Sequence, residues 1–147
     1  MTNPLRPARV RVAIADDHPL IRSGLARLVA AEPDLEVVGT AADGRHAVEL
    51  AEREQPDVIV LDLSLPELDG ITATEQLRRR SPRTRVLVLS SYVWESVVAS
   101  ALTAGAHGYL SKDVPAVEVL DGIRHTHAGG TVFSDRVRYI TDHPSAG

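Results

Sequence analysis

The sequence predicts a doubly wound α/β domain with five parallel strands. Short runs of β-branched and aliphatic residues alternate five times with stretches of helical periodicity, so each strand is joined to the next through a helix. Composition agrees, because 44% of the 147 residues are hydrophobic and only 3% are aromatic, which favours an aliphatic α/β core over a β-sandwich. A chain of this length is expected to form one compact domain.

Each strand is indicated by its apolar run, and each helix by apolar positions three and four residues apart. The predicted strands span about residues 10–15, 35–38, 57–61, 85–89 and 107–110. The predicted helices span about residues 19–31, 44–53, 71–80, 95–104 and 115–126. Pro19 suits the first turn of the first helix, Pro56 and Pro82 stop the second and third, and Gly105 caps the fourth.

The chain divides into three parts. Residues 1–9 are polar and interrupted by proline, which predicts a flexible N-terminus, and residues 10–130 contain the five strand and helix units. Residues 131–147 show weak periodicity and predict a linker or tail. No helix-turn-helix output domain is expected within this sequence.

Composition also excludes several classes of function. The chain has no cysteine, so disulfides, zinc-thiolate sites and thiol catalysis are excluded. No apolar run approaches the roughly 18 residues of a membrane span, which predicts a cytoplasmic protein with no membrane partner. The net charge of −4 opposes DNA binding by this chain alone. The arginines at 78–80 stand at a predicted helix C-terminus, where cations favour the helix dipole.

Polar side chains stand where four of the predicted strands end. Asp16 and Asp17 follow the first strand, Asp62 the third, Ser90 the fourth and Lys112 the fifth. The carboxyl ends of parallel strands share one edge of a sheet, so we expect these groups to form one site. Three carboxylates brought together repel one another unless a cation is bound, and oxygen ligands of this kind suit Mg²⁺.

Each group has a chemical role in such a site. We predict Asp17 and Asp62 as direct Mg²⁺ ligands and Asp16 as a ligand through water. The carboxylate of Asp62 can also attack phosphorus in line and form an acyl phosphate. Lys112 would pair with the phosphoryl group as a point charge, and the Ser90 hydroxyl would bond one of its oxygens.

An acid pair, an acceptor aspartate, a hydroxyl and a lysine in this order resemble the receiver domain of two-component response regulators. The acceptor lies in DLSLPELDG and the lysine in GYLSK, and the resemblance covers about residues 10–130. The segments ADDHPLIR and GYLSKD are similar to those of NarL/LuxR (FixJ)-type regulators. The resemblance implies a flavodoxin-like (βα)5 fold with strand order 2-1-3-4-5 and the site at the switch between strands one and three.

The resemblance also implies how the domain would act. A histidine kinase would present phosphohistidine, Asp62 would accept the phosphoryl group, and the main-chain carbonyl of Ser64 would complete the Mg²⁺ ligands. Ser90 would move toward the phosphoryl group and Tyr109 would rotate into the space it leaves, which makes a two-state switch. The switch would control a transcriptional output domain and favour homodimers, with DNA reached only through that output domain.

No enzyme activity is expected beyond the domain's own phosphotransfer and dephosphorylation. An aspartyl-nucleophile phosphatase would share Asp62, Lys112 and Mg²⁺, although Ser64 stands two residues after the nucleophile, where its general acid is expected. A stand-alone receiver and a phosphorylation-independent interaction module are further alternatives. Ser91 could exchange roles with Ser90, but Ser90 lies 22 positions before Lys112, an interval similar to that of the subfamily.

Several residues also have plain structural alternatives. Asp16, Asp17 or His18 could simply cap the first helix, since aspartate is a favoured N-cap residue. Tyr109 could be core packing alone. Trp94, the only tryptophan, could be an aromatic anchor for a partner or an ordinary partly buried side chain.

Overall fold

The computed structural model describes residues 8–144, so the predicted flexible N-terminus lies almost entirely outside the described residues. The strands are β1 Val10–Ala15, β2 Leu35–Ala41, β3 Val58–Leu61, β4 Arg85–Ser90, β5 Gly108–Ser111 and β6 Val132–Phe133. The helices are α1 Pro19–Ala30, α2 Gly44–Glu54, α3 Gly70–Arg80, α4 Glu95–Ala104, α5 Ala116–His127 and α6 Asp135–Asp142. Within the described part of the chain, no helix has the length and apolar character needed to cross a bilayer.

The strands form one parallel sheet in the order β2-β1-β3-β4-β5-β6. The order of the first five strands confirms the predicted flavodoxin-like fold. β1 has β2 on one side and β3 on the other, so the direction in which the sheet grows reverses at β1. At such a switch point the loops that leave neighbouring strands diverge and open a crevice at the carboxyl edge.

Apolar layers cover both faces of the sheet. Helices α1 and α5 contribute Val29 and Ile123 to one layer, and α2, α3 and α4 contribute Leu50, Leu77 and Val98 to the other. All four residues of β3 are buried, which is why this strand has no polar alternation. The two layers hold the strands rigidly, and their polar ends emerge at one edge.

The loop after β3 is held by the start of α3. The side chain of Asp69 accepts hydrogen bonds from the main-chain N–H groups of Ile71 and Thr72 and so caps that helix. Gly70 lies so close to the preceding strand that a Cβ atom there would be 2.5 Å from the carbonyl oxygen of Asp62. Only glycine permits this approach, which folds the loop back onto the strand that ends in Asp62.

Strand β2 is longer than predicted. It continues through Gly39 to Ala41, whereas the sequence pattern ended it at about residue 38. The pairing with β1 shifts register between Val12 and Ala13, which leaves one extra residue in β2. A bulge of this kind bends the strand and interrupts the alternation of side chains between the two faces of the sheet. The second half of β2 therefore shows no strand pattern in the sequence.

The larger difference lies at the C-terminal side. Residues 131–147 were predicted as a linker or tail, but residues 132–142 contain β6 and α6. A strand of two residues and a helix of eight are too short to show periodicity. They form through tertiary contacts instead: β6 pairs with β5, and Val137 of α6 is fully buried.

Candidate functional site

The three predicted carboxylates meet at the carboxyl edge of the sheet. One oxygen from each of Asp16, Asp17 and Asp62 lies within 4.8 Å of the others. Asp16 and Asp62 are almost completely buried, with 2% and 4% exposure, and Asp17 is exposed. The N–H of Asp62 donates to the carbonyl of Ala15 over 2.9 Å, which aligns the ends of β1 and β3. Clustered carboxylate oxygens of this kind suit a hard divalent cation.

Lys112 bridges the two buried acids. Its Nζ lies 2.8 Å from Asp16 Oδ2 and 3.1 Å from Asp62 Oδ2. Burial alone would lower the pKa of Lys112, but its hydrogen bonds to these carboxylates outweigh burial and raise the pKa. Its main-chain N–H donates to the carbonyl of Ser90 over 3.0 Å. Lys112 is the only lysine among 16 basic residues, and it lies at the centre of the site.

Both carboxylate oxygens of Asp16 are already engaged. Oδ1 accepts from the main-chain N–H of His18 over 2.9 Å, and Oδ2 pairs with Lys112. The N-cap residue of α1 is His18, and no side chain caps this helix, so neither Asp16 nor Asp17 serves as the simple helix cap considered above.

Arg22 was missed by sequence reasoning. Its guanidinium donates to the main-chain carbonyl of Asp16 over 2.9 Å. This contact orients the turn that carries the acid pair. Nothing in the sequence distinguishes Arg22 from an ordinary basic residue on the first helix, because the contact depends on how that helix leaves the sheet.

The mouth of the site is lined by residues from four loops, those that follow β1, β3, β4 and β5. The side chain of Asp62 accepts at Oδ1 from the main-chain N–H of Ser64 over 3.1 Å. Ser64 and Ser91 are exposed, and both line the cavity that contains Asp17, His18, Asp62 and Lys112. The carboxylate of Asp62 is therefore oriented by its own loop and lies at the wall of this cavity.

The predicted switch residues lie beneath this mouth. Ser90 is fully buried, and its Oγ accepts from the main-chain N–H of Tyr92 over 3.0 Å. Tyr109 is also fully buried, and its hydroxyl donates to the main-chain carbonyl of Tyr92. Tyr109 is thus held inside the domain by the same loop residue that contacts Ser90. Any displacement of Ser90 would act on the loop through Tyr92.

Trp94 lies on the rim. It is 62% exposed, and its ring centroid is 5.1 Å from that of Tyr92, which lines the cavity. This position makes its indole a reporter of events at the site.

Comparison with known proteins identifies relatives with the same organisation. The family described as "Response regulator receiver domain" matches residues 12–124. Transcriptional regulatory protein DegU of Brevibacillus brevis is 38% identical over 139 residues, which cover 95% of this chain and 59% of DegU. Response regulator protein VraR of Staphylococcus aureus is 35% identical over 128 residues, which cover 87% of this chain and 61% of VraR. The chain therefore spans about three fifths of these curated relatives.

Solved structures agree with the sequence relatives. The signal receiver domain of NarL from Mycobacterium tuberculosis superposes with a TM-score of 0.81 at 37% identity, and covers 84% of this chain and 99% of that one. A LuxR-family two-component response regulator from Aurantimonas has a TM-score of 0.87 at 32% identity, with 92% and 98% coverage.

The acidic cluster of Asp16, Asp17 and Asp62 is typical of the Mg²⁺ site of receivers. The region that the family matches contains the ends of β1 and β3, which carry this cluster, and the ends of β4 and β5, which carry Ser90 and Lys112. This chain therefore belongs to the response regulator receiver domains, regulatory phosphoacceptors that imply a histidine kinase partner, and it resembles the NarL/LuxR-type regulators among them.

Proposed function

We propose that this receiver accepts a phosphoryl group on Asp62 from the phosphohistidine of a histidine kinase, with Mg²⁺ bound beside it. The observation that carries the proposal is the position of Lys112. Its ammonium lies between Asp62 and Asp16, so a positive charge stands next to a carboxylate that lines the cavity. Phosphoryl transfer needs positioning and charge neutralisation above all, and this arrangement supplies both.

The ligand assignment follows from which carboxylates line the cavity. Asp17 and Asp62 both line it, which supports these two as the direct ligands, with the main-chain carbonyl of Ser64. Asp16 is buried behind them, with its oxygens engaged by His18 and Lys112, which supports its contact to the metal through water. When bound, Mg²⁺ neutralises the clustered acids and the incoming phosphoryl oxygens.

The transfer itself is a displacement at phosphorus. A carboxylate oxygen of Asp62 forms the new O–P bond while the P–N bond to the kinase histidine breaks, and its electron pair returns to the imidazole nitrogen. The ammonium of Lys112 then pairs with a phosphoryl oxygen, and the Ser90 hydroxyl donates to another. Ser90 passes this change to Tyr92 and Tyr109, which makes the three residues the switch.

The output is proposed from the relatives. DegU is a transcriptional regulatory protein and VraR a response regulator protein, and this chain spans about three fifths of each. We infer that the receiver begins at residue 10 and extends past the predicted boundary at 130 through β6 and α6. We also infer that phosphorylation favours a homodimer, and that the domain acts in the cytoplasm on transcription through a DNA-binding output domain outside this sequence. A stand-alone receiver with a protein partner is the alternative.

Acetyl phosphate with Mg²⁺ is expected to add one phosphoryl group to the wild-type chain. Intact-mass spectrometry before and after incubation measures the addition. With a chelator in place of Mg²⁺, incorporation should fall to background, because the carboxylates then repel the phosphodonor. Absence of any incorporation with Mg²⁺ would contradict the proposed function and favour the phosphorylation-independent interaction module.

Replacing Asp17 by asparagine is expected to weaken Mg²⁺ binding by about tenfold or more, since one charged ligand is lost. Titration followed by Trp94 fluorescence measures this. Asp43→Asn is the matched control, because Asp43 follows β2 at the same edge but lies outside the cluster. An Mg²⁺ affinity in Asp17→Asn equal to that of the control would show that the ligand set is wrong.

A further inference from the structure

The segment formed by β6 and α6 (residues 132–142) packs against the strand that leads into Lys112. Phe133 pairs with Tyr109 in the parallel ladder, and Val137 is fully buried in the apolar layer that contains Tyr109. The proposed phosphotransfer uses none of these contacts. They nevertheless connect the segment to Tyr109, a residue of the proposed switch, and to the strand that ends next to Lys112.

Ser134, at the junction between β6 and α6, makes two polar contacts with β5. Its N–H donates to the main-chain carbonyl of Tyr109 over 3.2 Å. Its Oγ accepts from the main-chain N–H of Ser111 over 3.1 Å. The residue is 3% exposed, so each of these groups would lack a protein partner if Ser134 moved away.

Ser134 is also the N-cap residue of α6. A serine at this position usually accepts a hydrogen bond from an N–H of the first helical turn, but here no such bond is made. The hydroxyl is engaged by Ser111 instead. The side chain therefore has two alternative partners, which is what a two-state element requires.

The first connection to the site runs along β5. Ser111 directly precedes Lys112, whose ammonium pairs with Asp62. A displacement of Lys112 thus moves the N–H that donates to Ser134. The next residue, Asp113, accepts from the Ser111 hydroxyl.

Asp113 adds a second tie to the segment. Its Oδ2 pairs with Arg136 of α6 over 3.4 Å. The hydrogen bond from Ser111 and the ion pair with Arg136 hold the pKa of Asp113 below its usual value. The residues on both sides of Lys112 therefore contact the β6 and α6 segment.

The second connection runs through the loop after β4. Ser90 Oγ accepts from the N–H of Tyr92, and the carbonyl of Tyr92 accepts from the hydroxyl of Tyr109. The carbonyl of Tyr109 in turn accepts from the N–H of Ser134. The connection from the Ser90 hydroxyl and the connection from the Lys112 ammonium therefore both end at Ser134.

We propose that Ser134 is a positioning residue that couples the docking of α6 to phosphorylation of Asp62, an inference that rests on the function proposed above. A phosphoryl group between Asp62 and Lys112 increases the distance that the pair must span and displaces the end of β5. Ser134 Oγ then leaves Ser111 and caps α6, and the segment loosens from the sheet. Because such coupling is reciprocal, loosening α6 by other means favours the phosphorylated state.

Hydrogen exchange on the full chain tests the wild-type response. Beryllium fluoride with Mg²⁺ serves as the phosphoryl mimic, and calorimetric titration measures its binding. The peptide covering residues 132–142 is expected to exchange about threefold faster or more in the bound state. Unchanged exchange there, in a chain that binds the mimic, would overturn the coupling, whereas failure to bind the mimic at all would overturn the proposed function instead.

Ser134→Ala tests the residue itself. The variant should bind beryllium fluoride about threefold more tightly than the wild type. It loses the cap on α6 in the bound state, but the docked state loses more, because the buried N–H of Ser111 is left without a partner. The segment 132–142 should then show little further increase in exchange on binding. A non-specific loss of stability in the variant would weaken the binding of beryllium fluoride instead. Ser134→Thr keeps the hydroxyl and should restore wild-type affinity. Thr141→Ala removes a hydroxyl from the same helix, one that donates to the main-chain carbonyl of Arg138. This variant should bind beryllium fluoride with wild-type affinity.

A folded Ser134→Ala that binds the mimic with unchanged or weaker affinity would refute the role of Ser134. If that variant does not fold, Arg136→Gln provides the second measurement, since Arg136 is an exposed residue whose ion pair ties α6 to Asp113. It should shift the affinity in the same direction, and a wild-type affinity would refute the coupling.

Discussion

Asp62→Asn is expected to abolish phosphoryl incorporation from acetyl phosphate. The substitution keeps the size of the side chain but removes the nucleophilic carboxylate oxygen and the charge that binds Mg²⁺. Asp62 is 4% exposed, with one oxygen oriented by the N–H of Ser64 and the other by Lys112. The amide keeps one of these two hydrogen bonds through its carbonyl oxygen, and a circular dichroism spectrum like that of the wild type would show that the loss is chemical rather than structural. Intact-mass spectrometry with Mg²⁺ present measures the loss.

Asp69→Asn is the matched control for this experiment. Asp69 lies in the same loop, and its carboxylate caps α3, a role that asparagine also fills. It should incorporate phosphate as the wild type does. Equal incorporation in Asp62→Asn and the wild type would place the acceptor elsewhere, and peptide mapping of the modified chain would then identify it.

The fold could be predicted almost completely from the sequence, because its core elements obey local rules. The buried strand β3 appears as an unbroken apolar run, and α4 begins and ends where predicted, at Glu95 and Ala104. What could not be predicted depends on tertiary contacts. The bulge that extends β2 and the helix α6 anchored by Val137 both follow from packing against a neighbour that lies far away in the sequence.

The candidate site shows the same division. The gathering of Asp16, Asp17 and Asp62 could be predicted, because strand ends in a parallel sheet share one edge. The pairing of Lys112 with Asp16 could not, since it depends on the lateral distance between the ends of β5 and β1. Arg22 was missed because its contact with the carbonyl of Asp16 depends on the angle at which α1 leaves the sheet.

Lys112→Met is expected to lower the free energy of unfolding by about 3 kcal/mol in the absence of divalent cations. Asp16 and Asp62 are almost completely buried, and Lys112 is the cation that pairs with both. Methionine has a similar length but no charge, so two neighbouring carboxylates would stay buried without compensation. Urea unfolding in a chelating buffer measures the change, with Lys112→Arg as the control that keeps the charge.

Mg²⁺ should reverse much of this loss. A cation that binds the folded chain and not the unfolded one stabilises it in proportion to its occupancy, and it would neutralise the acids that Lys112→Met leaves unpaired. The gain in stability on adding Mg²⁺ should therefore be larger in Lys112→Met than in the wild type. Asp16→Asn in the Lys112→Met background should also recover stability, because it removes one of the two like charges. If Lys112→Met unfolds like the wild type with and without Mg²⁺, the ammonium does not hold the acidic cluster together.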